Sequence, residues 1–149
     1  GLIAFNKAHA ADEMRWYGQE LFEKALAATD AAQYAKDRGD AMRLAGAEGI
    51  DALMAKHRVD VLVAPTTGPA WPIDLVTGDH FLDIGAGSLA AIAGYPHLSV
   101  PMGAVEGLPI GLSVIAGKWE DAKVLRVGAA YERARSVKLA APGLKRWGE

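Results

Sequence analysis

Serine chemistry is the first possibility the residues raise, because an attacking serine needs only a base within hydrogen-bond reach. The chain offers Ser88, Ser99, Ser113 and Ser136, and none lies in a Gly/Ser-rich run or beside a lysine-containing signature. His97 and Ser99 are two residues apart, so an extended backbone puts them on one face. No third group orients that histidine, and His97 therefore reads as structural, hydrogen-bonded to backbone. His9, His57 and His80 are far apart in sequence, without a spacing such as His-x-x-x-His, so a metal site has no support. Cysteine is absent, which removes disulfides, thiolate metal sites and a cysteine nucleophile.

Binding chemistry has more to draw on. Thr66 and Thr67 follow an apolar run at residues 61–64, and ligands in α/β sheets gather beyond the carboxyl ends of strands. Either hydroxyl could meet an amide group; capping the turn before Gly68-Pro69 is the plainer alternative. Trp71 could form an apolar pocket wall or pack in the core. Residues 81–90 match a strand followed by G-x-G-x-x-[GA] and look like the first motif of methyltransferases that bind S-adenosylmethionine. Gly94 and Pro96 stop the following helix after about two turns, and Glu106, at the required distance, lies in a Gly/Pro turn. That reading is weak.

These residues need elements to hold them. Met14, Tyr17, Gly18, Leu21, Phe22, Ala25 and Leu26 recur with the period of one helical face and predict a first amphipathic helix. Thr29 and Asp30 offer capping oxygens for a second, from about Ala31, with Leu44, Ala47, Ile50, Met54 and His57 along one side. Gly39 weakens its middle and marks a place to divide it. Residues 58–64 read as a strand, and the unalternating 61–64 suits a parallel sheet covered on both faces. A long connection, residues 65–87, carries three prolines, several glycines, Trp71 and Phe81. Loops of that length are more often functional than idle.

The organising stretch is residues 88–117. It predicts a short apolar helix ended by Gly94, a strand over 97–100 bracketed by Pro96 and Pro101, a turn through Gly103, Gly107 and Pro109, and a second strand over 110–115. Glu120 and Asp121 then suit the start of a last helix, with Val124, Val127, Gly128 and Tyr131 as its buried stripe. Arg133, Arg135 and Lys138 fall near its end. Residues 142–149 read as a mobile tail. There is no internal repeat.

Residues 93–103, Ala-Gly-Tyr-Pro-His-Leu-Ser-Val-Pro-Met-Gly, are followed by Gly107-Leu108-Pro109-Ile110-Gly111-Leu112 and by Tyr131-Glu132 on a helix. With residues 60–67, Asp-Val-Leu-Val-Ala-Pro-Thr-Thr, these ordered blocks resemble the C-terminal part of the amidase signature family, serine hydrolases that cleave linear amides. The resemblance covers nearly the whole chain. It implies an α/β fold, one part of a three-layer α/β/α sandwich around a mixed sheet. It also implies a mechanism using a serine nucleophile, a second serine in a cis peptide and a lysine base, with no metal or organic cofactor. None of those three groups has a matching position here, so no catalytic residue is carried over. Asp83 lies where related amidases can place an acidic substrate-recognition residue; a solvated loop carboxylate is the alternative. Substrate contacts are therefore expected at Thr66, Thr67, Asp83 and Trp71.

At 149 residues the chain suits one domain, or a fragment of one, able to bury roughly two-thirds of its unfolded surface. A formal net charge of −2 with interspersed signs gives no face for nucleic acid or for a membrane surface. No apolar run approaches the roughly 20 residues that cross a bilayer, and the cytoplasm is the default compartment. The chain opens on Gly1, inside the family-like pattern, and reads as a cut piece of a longer protein. The expectation is a segment of an amide hydrolase, inactive alone, whose substrate is a small-molecule amide and whose apolar faces pack on a missing N-terminal portion or on a second copy. A non-catalytic interaction or folding module is the other class, ahead of the methyltransferase.

Overall fold

The computed structural model describes residues 1–82 and 84–139. Its first half is helical: α1 (Leu2–Ala8), α2 (Ala10–Glu13), α3 (Glu20–Ala27), α4 (Ala31–Ala45), a π-helical segment (Gly46–Asp51) and α5 (Ala52–His57). The single amphipathic helix predicted from Met14 to Leu26 is broken, with a non-helical link between α2 and α3. Gln19 is the cause, aided by Gly18, which favours a helix least of all residues but proline. The Gln19 side chain is buried; its Nε2 donates to the Ile3 carbonyl at 3.2 Å and its Oε1 accepts from Asn6 Nδ2 at 3.1 Å. Those bonds tie the entrance of α3 to α1. Asp30 caps α4 as predicted, accepting from the Gln33 N–H at 2.9 Å.

Gly39 does not divide the second helical region; α4 runs straight through it. The irregularity falls at the π-helical turn, where a Cβ on Gly46 would lie 3.1 Å from the Tyr95 hydroxyl oxygen. That hydroxyl donates to Asp51 Oδ2 at 2.6 Å, so the extra residue of the π turn makes room for a ring anchored from the far side of the core. The wider turn also rotates the apolar stripe. Ala45, Gly46, Ile50 and Met54 face inward, whereas Leu44, Ala47 and His57, predicted on that side, are exposed.

Three strands form one antiparallel sheet in the order β1-β3-β2: β1 (Leu62–Pro65), β2 (His97–Val105) and β3 (Leu108–Ile115). The parallel, doubly covered strand expected at residues 61–64 is not found. Arg58 ends α5 with a left-handed φ of 54°, the strand begins only at Leu62, and it pairs antiparallel with β3 at the sheet edge. Its Val63 side chain is 59% exposed. Pro101 does not end β2 either: the strand continues through a bulge to Val105, because a sheet-edge strand tolerates a missing backbone donor. The turn shrinks to Glu106 and Gly107, with φ of 50° and 78°, a two-residue hairpin that leaves Pro109 inside β3.

Helices cover both faces. Ile115 and Leu62 point towards Ala45, Ile50 and the short helix α6 (Gly87–Ala93), which ends at a left-handed Gly94 as predicted. Val114 and Leu98 point the other way, against Val124 and Val127 of α7 (Asp121–Ala134). The predicted α7 stripe is the buried one, and Gly128 on it is filled by the tip of Leu98. The result is an α/β arrangement with the sheet between helices. The predicted tail, residues 142–149, lies outside the described residues.

Candidate functional site

Alternation along the strands gathers four polar side chains on the sheet face that α6 only partly covers. The register sets Ala64, Ser113 and Ser99 side by side, with His97 two residues before Ser99 on β2 and Thr66 just past the end of β1. His97 Nε2 is 2.6 Å from Ser113 Oγ, the Ser113 hydroxyl donates to Thr66 Oγ1 at 3.0 Å, and Thr66 Oγ1 is 2.7 Å from Ser99 Oγ. The Thr66 N–H donates to the Gly111 carbonyl at 2.7 Å, continuing the β1 ladder beyond its last residue.

Two expectations change here. His97 bonds a serine hydroxyl, not backbone, and Thr66 is engaged across the sheet, not in capping the turn that follows. Ser113 was not foreseen as a partner; its signal was a polar residue at the inward position of an otherwise apolar strand. The His97–Ser113 pair has the spacing of a base and a nucleophile, yet Ser113 is 0% exposed and its proton is directed to Thr66. No substrate atom can reach it. The pair positions other groups.

Beside this cluster lies an open cleft of about 460 Å³, lined by Thr66, Thr67, Phe81, Ile84, Ser88 and Ala91 among others. The long connection folds back to make its wall. Thr67 bridges Gly85, the Gly68 N–H donates to the Ile84 carbonyl at 3.2 Å, and a Cβ on Gly85 would lie 2.9 Å from the Thr66 carbonyl oxygen. Thr66 and Thr67 thus reach the cleft together. Trp71 does not line it; half-buried, it packs edge-on against the lining Phe81 at 5.5 Å. Asp83 lies outside the described residues.

The glycine pattern at residues 85–90 lacks the context of a nucleotide-binding motif. Phe81, Leu82 and Ile84 form no strand, and α6 is 7 residues long. Among the described residues no three His, Asp or Glu side chains gather as a metal site. Within the connection, the Asp74 carboxylate accepts from the Thr77 hydroxyl and from the Thr77 and Val76 N–H groups at 2.9 and 2.8 Å. These bonds, the Thr77 hydroxyl first, hold its pKa down to about 2. A depressed carboxylate stabilises the turn fully above the ordinary carboxylate range, and that contribution disappears as pH falls through about 2. A carboxyl-carbon NMR titration should place the Asp74 midpoint near 2; a midpoint at 3.8, the unperturbed value, would contradict the turn geometry.

With this geometry in hand, comparison with known proteins defines the class. A crystal structure of a peptide amidase in complex with the competitive inhibitor chymostatin is 47% identical and superposes with a TM-score of 0.87, over 96% of this chain and 29% of that one. The native peptide amidase of Stenotrophomonas maltophilia is 44% identical with a TM-score of 0.81, over 96% and 29%. Among curated sequences, a subunit of the Glutamyl-tRNA(Gln) amidotransferase of Pseudomonas fluorescens is 38% identical over 86 residues, 55% of this chain and 18% of the relative. The α/β fold is therefore that of amidase signature enzymes. The Amidase family model matches residues 4–125, and the chain belongs to that family. It spans about a fifth of the length of the amidotransferase subunits it matches and under a third of the two peptide amidase chains.

Among the described residues no helix is long and apolar enough to cross a membrane.

Proposed function

We propose that this chain is the C-terminal segment of an amide hydrolase. The complete enzyme splits a small linear amide, with peptide amides the first class to try, into a carboxylic acid and ammonia or an amine. The serine nucleophile, its cis-serine partner and the lysine base come from the portion of the fold this segment packs against. The segment itself supplies scaffold and one wall of the substrate cleft, at Thr66 and Thr67, with Trp71 behind the wall against Phe81 and Asp83 as a further substrate contact, and works in the cytoplasm. The observation that carries this reading is the likeness to the inhibitor-bound peptide amidase over nearly all of this chain.

The surface supports incompleteness. Accessible area is 11362 Å², where a compact monomer of this mass has about 7,300 Å². Leu21, Leu26 and Phe22 on α3 are exposed at 80%, 74% and 51%. Excess area on this scale belongs to large permanent interfaces, and the remainder of the enzyme is its occupant in our reading. The same surface is what favours the second reading, a free-standing interaction module.

Assay of the complete enzyme on peptide amides tests the proposal: turnover is expected, and its absence would overturn the reading. In that enzyme Thr67→Val should raise KM about fivefold with kcat little changed, the effect of one lost hydrogen bond made equally in ground and transition states. An unchanged KM would remove Thr67 from the cleft wall.

A further inference from the structure

We propose that the Thr66 and Ser99 hydroxyls form a one-proton donor site for the carbonyl oxygen of the substrate, and that His97 sets its polarity through Ser113. This deepens the amide hydrolase reading and rests on it. Each hydroxyl has one proton to donate and two lone pairs to accept. Ser113 directs its proton to Thr66, so in the 2.6 Å bond to His97 the Nε2 is the donor. Either the Nε2–H tautomer or the imidazolium serves. Thr66 and Ser99 then hold two protons and share one bond at 2.7 Å. One O–H is left over, whichever of the two donates internally.

Reversal of the chain would change what the pair offers. With a bare Nε2, Ser113 donates to the imidazole, Thr66 donates to Ser113, and Ser99 donates to Thr66. No proton remains, and the pair presents only lone pairs to a ligand. Ser113 is fully buried, so solvent does not compete for its oxygen, and the protein alone fixes the direction. Ser99 is exposed, and Thr66 lines the cleft. Gly111 keeps the pair in place, since a Cβ there would lie 2.5 Å from Ser99 Oγ and 2.8 Å from Thr66 Oγ1. With Ser99 donating internally, the free O–H is that of Thr66 at the cleft wall, and it matches an amide carbonyl, which is an acceptor. His97 and Ser113 are positioning residues in this scheme.

Two variants of equal shape and opposite polarity provide the test in the complete enzyme. His97→Gln can still turn an N–H donor to Ser113, and an ionised His97→Glu offers it only acceptors. With a peptide amide as substrate, KM of the Glu variant should exceed that of the Gln variant by about fivefold to tenfold, the worth of one hydrogen bond, with kcat nearly equal. Thr66→Val combined with Ser99→Ala should raise KM by a similar factor, and adding His97→Glu to that pair should do nothing more. Gln and Glu variants of equal KM would overturn the proposal. Nitrogen-15 spectra of the unsubstituted enzyme give an independent answer: a proton on His97 Nε2 supports the scheme, and a proton on Nδ1 alone overturns it. An enzyme that turns over no amide refutes the functional reading, while the His97 spectrum still decides the polarity of the hydroxyl chain.

Discussion

Ile50→Ala is expected to destabilise the chain by about 2–5 kcal/mol, the cost of deleting a buried branched side chain from a site that closes only partly. Ile50 is 1% exposed and packs in the cluster of Ala45, Ala90, Ala93 and Ile115, where the π-helical turn meets α6 and the sheet. Most of its neighbours are alanines, with little freedom to move into the space, which favours the upper half of the range. Urea unfolding measures the loss. Leu21→Ala is the control: at 80% exposure it should change stability by under about 0.5 kcal/mol in the isolated chain. Equal effects at the two positions would mean that the core is not where this fold places it.

Gly111→Ala should have the largest effect on the site. Its Cβ would enter between Ser99 Oγ and Thr66 Oγ1, and also lie 3.2 Å from Thr66 Cβ. Gly111 sits in the central strand, paired with Pro101 and bonded through its carbonyl to the Thr66 N–H, so the backbone cannot retreat. Overpacking of this kind costs about 1–3 kcal/mol, and the Thr66–Ser99 bond it wedges apart adds about 1 kcal/mol. Gly103→Ala, where a Cβ meets nothing within 4 Å, should cost under about 0.5 kcal/mol. A Gly111→Ala protein as stable as the Gly103→Ala protein would contradict the packing of the hydroxyl pair.

Local chemistry was readable from the residues; partnerships were not. Gly94 stopped α6 because no side chain opposes its left-handed conformation, and the α7 stripe followed from its period alone. The boundaries that failed were decided by distant groups. Gln19 broke a periodic helix by bonding α1, Tyr95, 44 positions from its Asp51 partner, selected a π turn, and β1 took an antiparallel neighbour that its apolar run could not reveal. In the same way Thr66 and Thr67 were placed correctly beyond a strand end. Their companions Ser99, Ser113 and His97 came together only through the register of β1, β3 and β2, up to 47 positions apart.

That the segment builds a cleft wall but not the bond-breaking groups is tested most directly by assaying the purified 149-residue chain, by itself, against peptide amides. Release of ammonia should stay at the rate of the buffer. Turnover that follows the chain through successive purification steps would contradict the account, because a nucleophile and base would then lie among these residues.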